Sequence, residues 1–364
     1  MAETASLQVS SHAPLAQPQK ITSIKTISES PGLTSIPSTY IFTPNPDDQV
    51  ISEKEASLPI IDYSLLTSAN TDERSKIIYE LGKACQDWGF FMVINHGVPE
   101  SLMRSMIDMC GGFFDLSEED KEEYRGKHVL DPIRCGTSFN ASAEKIFFWK
   151  DFLKILSHPV FHSPSKPSGF SETSLEYSQR AREIARELLK GISESLGLEA
   201  NYIEKALNLE EGLQVIAANF YPPCPQPELA MGMPPHSDHG LLSFLIHNGI
   251  SGLQVQHEGK WVNVNGIPNS FLVNIGDHLE ILSNGKYRSV LHRAVVNNKA
   301  TRISIATVQG PSLDSIVRPA EELLERERKA PAYTGMKYKE YLELQQSNNL
   351  DGKLNLDRLR NQVV

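Results

Sequence analysis

The chain has 364 residues, of which 35 are Lys or Arg and 45 are Asp or Glu, so its formal net charge is −10. A chain of this length buries a substantial core or folds as about two domains, and its hydrophobic fraction of 40% is typical of a globular protein. The acidic balance argues against nucleic acid or an anionic membrane as the main partner. No apolar run in it reaches the roughly 20 residues that a membrane-spanning helix needs.

The cysteines indicate the compartment. Cys85, Cys110, Cys135 and Cys224 are scattered, with no Cys-x-x-Cys pair. Such spacing is typical of reduced thiols rather than of a disulfide framework or a zinc ribbon. Residues 1–19 lack the positive segment and apolar stretch of a secretory signal. We therefore predict a cytoplasmic protein without a membrane partner.

The first part of the chain changes from polar to helical. Residues 1–56 are polar and rich in Ser, Thr and Pro, which is typical of a tail and a lead-in segment. Residues 57–205 form a mainly helical region, although 127–172 show no clean period. The predicted elements of this region are a strand at 58–62, a helix from Asn70 or Thr71 to Trp88, a strand at 89–95, a helix from Pro99 to Asp115, and a long helix with Tyr177, Ala181, Ile184, Leu188 and Ile192 on one face that ends before Gly197.

The second part of the chain is rich in short strands. Many short strands with turn residues between them indicate a sandwich or a jelly roll. We predict an α+β protein whose core is residues 206–318, followed by a helical C-terminal segment at 319–364. The predicted strands are 214–221, 241–247, 252–256, 261–264, 271–275, 290–297 and 303–309.

The most informative segment for chemistry is Pro235-His236-Ser237-Asp238, at the entrance of a predicted strand. His236 and Asp238 are two residues apart, so on an extended chain both side chains leave the same face. An imidazole and a carboxylate side by side are two of the three ligands of the facial triad that holds non-haem Fe(II). His292, in an otherwise apolar strand, is the candidate third ligand. Taken singly, a His-x-Asp pair is also typical of a surface, and His292 of a satisfied core histidine.

A second pair follows ten residues later, in Arg302-Ile303-Ser304. A buried Arg favours a bidentate carboxylate, and a neighbouring hydroxyl can complete that contact. By itself, Arg-x-Ser is typical of a solvated strand edge. In this order and within one run of strands, the residues indicate a metal site beside a site for a dicarboxylate co-substrate.

These motifs resemble those of the plant 2-oxoglutarate- and Fe(II)-dependent dioxygenases, the family that includes flavanone 3-hydroxylase, anthocyanidin synthase and the alkaloid O-demethylases. The resemblance extends from about residue 36 to the C-terminus. Further segments that match in the family's order are Leu58-Pro59-Ile60-Ile61-Asp62, Trp88-Gly89-Phe90-Phe91, Ile94-Asn95-His96-Gly97-Val98, 219–227, Gly252-Leu253-Gln254-Val255, Asn274-Ile275-Gly276-Asp277 and Ser283-Asn284-Gly285.

The resemblance implies a fold and a metal. The core would be a double-stranded β-helix, which is a distorted jelly roll, flanked by N-terminal helices and a C-terminal helix. The metal would be Fe(II), with His236, Asp238 and His292 as ligands.

The resemblance also implies a co-substrate, 2-oxoglutarate. Arg302 and Ser304 would bind its distal carboxylate, and Tyr221 with Asn219 beside it would form hydrogen bonds near the end that chelates the metal. Such an enzyme consumes O₂, oxidises a C–H bond of an organic substrate, and releases succinate and CO₂. Ascorbate would serve as the reductant in vitro.

The organic substrate is expected to contact the variable parts of the chain. By analogy, the pocket would include Phe139, Phe152, Lys154, Val308 and Tyr341. Several flavonoid-acting relatives carry an aromatic residue where this chain has Val308, which weakens the flavanone 3-hydroxylase interpretation. The aromatic residues of the predicted pocket, such as Phe139 and Phe152, indicate that the substrate is a mid-sized hydrophobic plant metabolite such as a flavonoid, an alkaloid or a phenylpropanoid. Hydroxylation is the predicted reaction, with O-demethylation and desaturation as alternatives.

Three other interpretations stay open at this point. One is a hormone-metabolising, gibberellin-type oxidase of the same family. Another is a non-catalytic jelly-roll binding protein, which would not turn over 2-oxoglutarate. The last is a cupin-like metal hydrolase or isomerase, against which Arg302 and Ser304 argue because it needs no dicarboxylate. A monomer is expected from the family alone.

Overall fold

In a computed structural model of the chain, residues 22–43, 45–52, 56–126, 128–138, 145–347 and 352–361 are described. Their helices are α1 (Ile24–Ser28), α2 (Tyr63–Leu66), α3 (Thr71–Asp87), α4 (Glu100–Phe114), α5 (Glu118–Glu122), α6 (Phe170–Ser195), α7 (Tyr202–Ala206), α8 (Asp277–Leu282), α9 (Glu321–Glu327), α10 (Tyr338–Ser347) and α11 (Leu354–Asp357). Within these ranges, no helix combines the length and the apolar character needed to cross a bilayer.

The strands of the same ranges form two main sheets and a small ribbon. They are β1 (Val50–Ile51), β2 (Ile60–Asp62), β3 (Phe90–Ile94), β4 (Ile133–Thr137), β5 (Asp151–His158), β6 (Gln214–Tyr221), β7 (Met233–His236), β8 (Leu242–His247), β9 (Leu253–His257), β10 (Lys260–Val264), β11 (Phe271–Ile275), β12 (His292–Ala294), β13 (Arg302–Gln309), β14 (Ile316–Val317) and β15 (Met336–Lys337).

The order of strands in the sheets is that of a jelly roll. The larger sheet runs β2-β3-β11-β8-β13-β6-β5-β4 and the smaller one β1-β10-β9-β12-β7, while β14 pairs with β15. Strands distant in the chain are neighbours in both main sheets, as the crossing connections of a jelly roll require. The predicted α+β class is confirmed.

Helix α3 shows how local sequence sets the boundaries of an element. The Asn70 side chain accepts hydrogen bonds from the N–H groups of Asp72 and Glu73, at 3.1 and 3.4 Å, and so caps the first turn. After the helix, Gly89 has a φ of 62°, and a Cβ there would lie 2.3 Å from the Arg288 carbonyl oxygen. A side chain at residue 89 would therefore clash, and the chain turns there into β3.

Helix α6 supplies the apolar backing of the larger sheet. Its 26 residues pack against α3, α4 and β13. The side chains predicted to share one face are buried: Tyr177, Ala181, Ile184, Leu188 and Ile192. The 3.6-residue period thus identified the face that meets the core.

The lead-in segment packs against the rest of the fold. Ile24 is fully buried, and the backbone N–H groups of Ile24 and Lys25 donate to the two carboxylate oxygens of Asp151 at 2.9 and 3.0 Å. Strand β1 pairs in parallel with β10. The described part of residues 1–56 is therefore integrated into the fold, which its polar composition concealed. Residues 1–21 lie outside the described residues.

The sequence also left β4 and β5 unassigned. Strand β5 lies between β4 and β6 in the larger sheet. Its first three side chains are all buried, and Lys154 and Leu156 both occupy half-buried positions, so apolar and polar residues do not alternate along its sequence. Strand β12 is shorter than the predicted 290–297. His236 stands at the end of β7 rather than at the entrance of a strand.

Candidate metal and co-substrate site

Three predicted ligands converge where β7 meets β12. His236 and His292 are paired positions of this antiparallel ladder, and the chain after β7 carries Asp238 back toward both rings. The Nε2 atoms of His236 and His292 each lie 3.7 Å from Asp238 Oδ1. One ligand atom from each residue falls within 4.8 Å of the others. Two imidazoles and one carboxylate in this arrangement suit Fe(II) and leave coordination positions open.

The hydrogen bonds around the three residues orient them toward one another. His236 Nδ1 donates to the Pro234 carbonyl at 2.8 Å, and His292 Nδ1 donates to the Val290 carbonyl at 3.2 Å. Because a carbonyl only accepts, the proton is on Nδ1 in both rings, and each Nε2 lone pair is available to a cation.

Asn274 completes this arrangement and was not assigned a role from the sequence. Its Nδ2 donates to Asp238 Oδ2 at 2.9 Å, which leaves Oδ1 facing the two histidines. Asn274 lies in the buried strand β11 between Val273 and Ile275. A lone amide in such an apolar strand is the signal that could have identified it.

The electrostatics of the site favour a cation. Burial, with His292 beside it, lowers the pKa of His236 to about 3. Burial alone would raise the pKa of Asp238, but the imidazoles of His292 and His236 and the hydrogen bond from Asn274 bring it below its usual range. The His236 imidazole is thus neutral and the Asp238 carboxylate ionised, which are the forms that bind a metal.

Arg302 and Ser304 lie on β13, on the wall of the same cavity. The Arg302 side chain is only 2% exposed; it donates to Ser304 Oγ at 3.1 Å and to the Ile250 carbonyl at 3.2 Å. Its guanidinium lies 5.2 Å from the centre of the Tyr221 ring. Among the residues that the structure describes, no Asp or Glu forms an ion pair with it. A buried guanidinium without a carboxylate is costly, so this position suits a carboxylate ligand.

Asn219 is held by a buried lysine that the sequence analysis did not single out. Lys150 Nζ donates to Asn219 Oδ1 at 2.9 Å and lies 3.0 Å from Met233 Sδ. Lys150 is 1% exposed and lines the cavity. A lysine between Trp149 and Asp151, next to a buried strand, was the available signal.

His239 connects the segment after β7, which carries Asp238, to helix α10. Its Nδ1 is 2.8 Å from the Tyr338 hydroxyl of α10, and burial lowers its pKa to about 4. His239 lines the cavity directly after Asp238. This contact fixes the position of α10 relative to the segment that carries Asp238.

The residues predicted for the organic substrate have four different outcomes. Lys154 and Val308 line the cavity. Phe152 lies on the same face of β5 as Lys154, but its ring packs against Gly136 and borders a separate small recess. Phe139 lies outside the described residues.

The prediction that Tyr341 lines the pocket is wrong. Tyr341 is fully buried, and its hydroxyl donates to Asp277 Oδ2 at 2.7 Å. Successive residues of a helix are about 100° apart, so α10 directs Tyr341 into the core. It presents Leu342 and Gln345 to the cavity instead.

Comparison with known proteins agrees with this architecture. The profile of the 2OG-Fe(II) oxygenase superfamily matches residues 212–311, and that of the N-terminal region of non-haem dioxygenases in morphine synthesis matches residues 58–176. The chain is 45% identical to 2-oxoglutarate-dependent dioxygenase 19 of Oryza sativa subsp. japonica, over 83% of this chain and 90% of that protein. It is 36% identical to thebaine 6-O-demethylase of Papaver somniferum, over 90% and 93%. The crystal structure of JOX2 in complex with 2OG, Fe and JA superposes with a TM-score of 0.84 at 30% identity, covering 94% of this chain and 99% of that one.

Fold and site together define a non-haem iron oxygenase. The chain belongs to the 2OG-Fe(II) oxygenase superfamily. It is a 2-oxoglutarate-dependent dioxygenase, an oxidoreductase that uses Fe(II), 2-oxoglutarate and O₂ with a small-molecule substrate. The predicted family, enzyme class and cofactors are confirmed, and the interpretation as a non-catalytic binding protein is not supported.

Proposed function

We propose that His236, Asp238 and His292 hold Fe(II), and that Arg302 with Ser304 binds the distal carboxylate of 2-oxoglutarate. The observation that carries this proposal is the buried Arg302, which lies on the wall of the same cavity as the three ligands. When bound, iron, co-substrate and O₂ supply the oxidation of a C–H bond, with release of succinate and CO₂.

The residues around the co-substrate would fix its direction. The Arg302 guanidinium offers two N–H groups to one carboxylate, while Ser304 Oγ, which already accepts from Arg302, lies beside it. Tyr221 packs under the guanidinium and keeps it in place. Asn219, held by Lys150, lines the same cavity. The opposite, chelating end of 2-oxoglutarate would then face the three ligands.

The organic substrate would be a mid-sized, hydrophobic plant metabolite. Its site is the apolar part of the cavity, lined by Val129, Leu130, Leu156, Leu213, Val215, Val308 and Leu342. These side chains exclude water from the reacting C–H bond. Val308 offers no aromatic surface on which a flavonoid ring would stack. Hydroxylation is the proposed reaction, and O-demethylation is the same oxidation at the carbon of a methyl ether, as the name of the poppy relative indicates for that enzyme.

The C-terminal segment, 319–364, would act as a lid over the jelly-roll core at 206–318. Leu342 and Gln345 of α10 line the cavity, and the Gly352 N–H donates to the Pro235 carbonyl at 3.2 Å, beside the metal ligand His236. A cytoplasmic monomer is proposed as well. The free thiols of all four cysteines support a reducing compartment.

The test is succinate formation by the purified protein with Fe(II), ascorbate and 2-oxoglutarate, across flavonoids, alkaloids, coumarins and terpenoid acids. Stimulation by one class would support the proposal and define the substrate. Background turnover without stimulation would support the iron chemistry and exclude the tested compounds as substrates. No turnover by protein shown to contain iron would contradict the proposed function.

A further inference from the structure

The ammonium group of Lys150 connects the two main sheets at the wall of the cavity. Lys150 is only 1% exposed and directly precedes β5. Its Nζ donates to Oδ1 of Asn219 on β6 at 2.9 Å, and it lies 3.0 Å from Sδ of Met233 on β7. Strand β7 ends at His236. Lys150 therefore holds a residue of the larger sheet against the strand that carries a proposed metal ligand.

Asn219 lies next to the proposed co-substrate residues. It is directly opposite Ser304 in the antiparallel β6–β13 ladder, where the Cβ atoms of opposing residues are about 4.5–5.5 Å apart. Asn219, Ser304 and Arg302 all line the cavity, and Ser304 Oγ accepts from the Arg302 guanidinium. A carboxylate bound by Arg302 and Ser304 would therefore have the Asn219 amide beside it.

Lys150 determines the orientation of the Asn219 amide. An ammonium group has donors only, so the amide atom that it contacts is the oxygen, and the NH₂ group lies on the other side. One N–H of this group donates to the Ala217 carbonyl at 3.4 Å; the other has no partner among the residues that the structure describes. Because Asn219 lines the cavity, this second N–H is available to an oxygen of a bound ligand.

We propose that Lys150 is a positioning residue for 2-oxoglutarate: by holding Oδ1 of Asn219, it makes the amide donate a hydrogen bond to an oxygen of the bound co-substrate. The inference rests on the proposed function and deepens it, because it assigns a further residue to the same co-substrate site. Without the ammonium group, the amide can rotate and turn its oxygen toward the co-substrate, so that two acceptors face each other.

The experiment measures the Kd of 2-oxoglutarate by calorimetry, with the full chain loaded with Fe(II) under anaerobic conditions so that no turnover occurs. Lys150→Met removes the ammonium group and keeps an unbranched side chain, whereas Asn219→Ala removes the donor itself. Each variant is expected to raise the Kd about tenfold, as the loss of one hydrogen bond to a charged group predicts. Lys76→Met is the matched control, because the Lys76 side chain on α3 is 79% exposed, and it should change the Kd less than about twofold.

The double variant shows whether Lys150 acts through Asn219. If it does, Lys150→Met adds less than about twofold to the Kd of Asn219→Ala, because the amide that Lys150 holds is already absent. An effect of the Lys150 charge directly on the dicarboxylate would remain in the Asn219→Ala background. Lys150→Leu replaces Lys150→Met if the latter does not fold.

The affinity for Fe(II) in the absence of 2-oxoglutarate separates positioning from a general loss of structure. Lys150→Met and Asn219→Ala should each keep this affinity within about threefold of the wild type, because neither residue is a proposed metal ligand. A disrupted site would bind both Fe(II) and 2-oxoglutarate less tightly.

Three results would overturn the inference: an unchanged Kd in Lys150→Met, effects of the two substitutions that multiply in the double variant, or equal losses of Fe(II) and 2-oxoglutarate affinity. Arg302→Lys in the same assay separates these failures from a failure of the proposed function. If the wild type binds 2-oxoglutarate and Arg302→Lys weakens that binding, only the role of Lys150 is wrong. If the iron-loaded wild type does not bind 2-oxoglutarate, the proposed function fails as well.

Discussion

His236 and His292 face each other in register across the antiparallel pair of β7 and β12, with ring centroids 4.2 Å apart. The two residues are more than fifty positions apart in the chain, and the ladder alone brings their rings together. Because each Nδ1 is bonded to a backbone carbonyl two residues earlier, both rings are oriented before any metal arrives.

Replacing a proposed ligand should remove the iron. We expect His236→Ala or Asp238→Ala to lower iron content and succinate formation by more than about 100-fold, since two ligands hold Fe(II) weakly. Metal analysis of the purified variants, together with the succinate assay, measures both effects. His162→Ala, in the loop after β5, is the control and should retain the iron content and the succinate formation of the wild type. Full activity in either ligand variant would exclude the iron assignment.

Asn274 should increase the affinity for Fe(II) by orienting Asp238 rather than by contacting the metal. Asn274→Ala removes the hydrogen bond to Asp238 Oδ2, and outer contacts of this kind are worth about 10- to 100-fold in metal affinity. We expect weaker Fe(II) binding, measured by titration of the metal-free protein, with activity restored at high Fe(II). Asn274→Asp, whose ionised side chain cannot donate to the Asp238 carboxylate, should not restore the affinity for Fe(II). Unchanged affinity in Asn274→Ala would show that the contact has no positioning role.

Arg302→Lys should affect the co-substrate selectively. A lysine provides one charge but no bidentate contact, so we expect the KM for 2-oxoglutarate to rise about tenfold. The KM for the organic substrate should change less than about twofold. Arg318→Lys, whose side chain is largely exposed, is the control. Equal changes in the two constants would mean that Arg302 is structural.

Glu280 of α8 should stabilise the C-terminal segment. Its side chain is 1% exposed and accepts from Tyr333, Lys353, Arg360 and the Ser289 N–H. Removing one partner of a buried ion pair leaves uncompensated charge, so Glu280→Ala should lower the free energy of unfolding by about 2–4 kcal/mol.

Urea denaturation measures this change. Asp357→Ala removes an exposed partner of Arg360 and serves as the control, with an expected loss below about 1 kcal/mol. Similar losses in both variants would contradict the assignment of Glu280 as the anchor of this segment.

His247 should make stability depend on pH. Burial, and then the charge of Arg302, lowers its pKa from 6.5 to about 4. As pH falls below 6.5, the unfolded chain takes up this proton before the folded protein does. Stability is therefore complete above pH 6.5 and is lost progressively toward pH 4, by about 2–3 kcal/mol.

His247→Asn tests this assignment. The Asn oxygen can accept from the Gly249 N–H as His247 Nδ1 does now, at 3.1 Å. The difference in unfolding free energy between pH 7 and pH 4.5 should shrink by about 2 kcal/mol. Glu100, Arg104 and Asp108 border the same cleft and stay in place in the variant. An unchanged difference would exclude His247 as its source.

Local patterns identified much of this molecule. The alternation and apolar content of 214–221 and 271–275 predicted β6 and β11 with the bounds that the structure has. Asn70 indicated the start of α3 because its side chain caps within three residues. Such signals depend on neighbours a few positions away, so they are readable without a tertiary structure.

Other features depend on which distant segments pair. Strand β5 had no recognisable period because Lys154 and Leu156, a charged and an apolar residue, share one of its faces. The opposition of Arg134 and Lys154 follows only from the register of β4 and β5. Asn274 became part of the site through a contact with Asp238, 36 residues away. Leu342 lines the cavity in place of Tyr341, because packing sets the rotation of α10.

The sequence by itself indicated a metal site beside a site for a dicarboxylate, because ligand types and their spacing on strands are local chemistry, and its resemblance to a known family indicated the class of enzyme. The tertiary structure decided which residues support the proposed ligands and which charges line the cavity. Those relations are set by sheet register and helix rotation, where a shift of one residue directs a different side chain to the site.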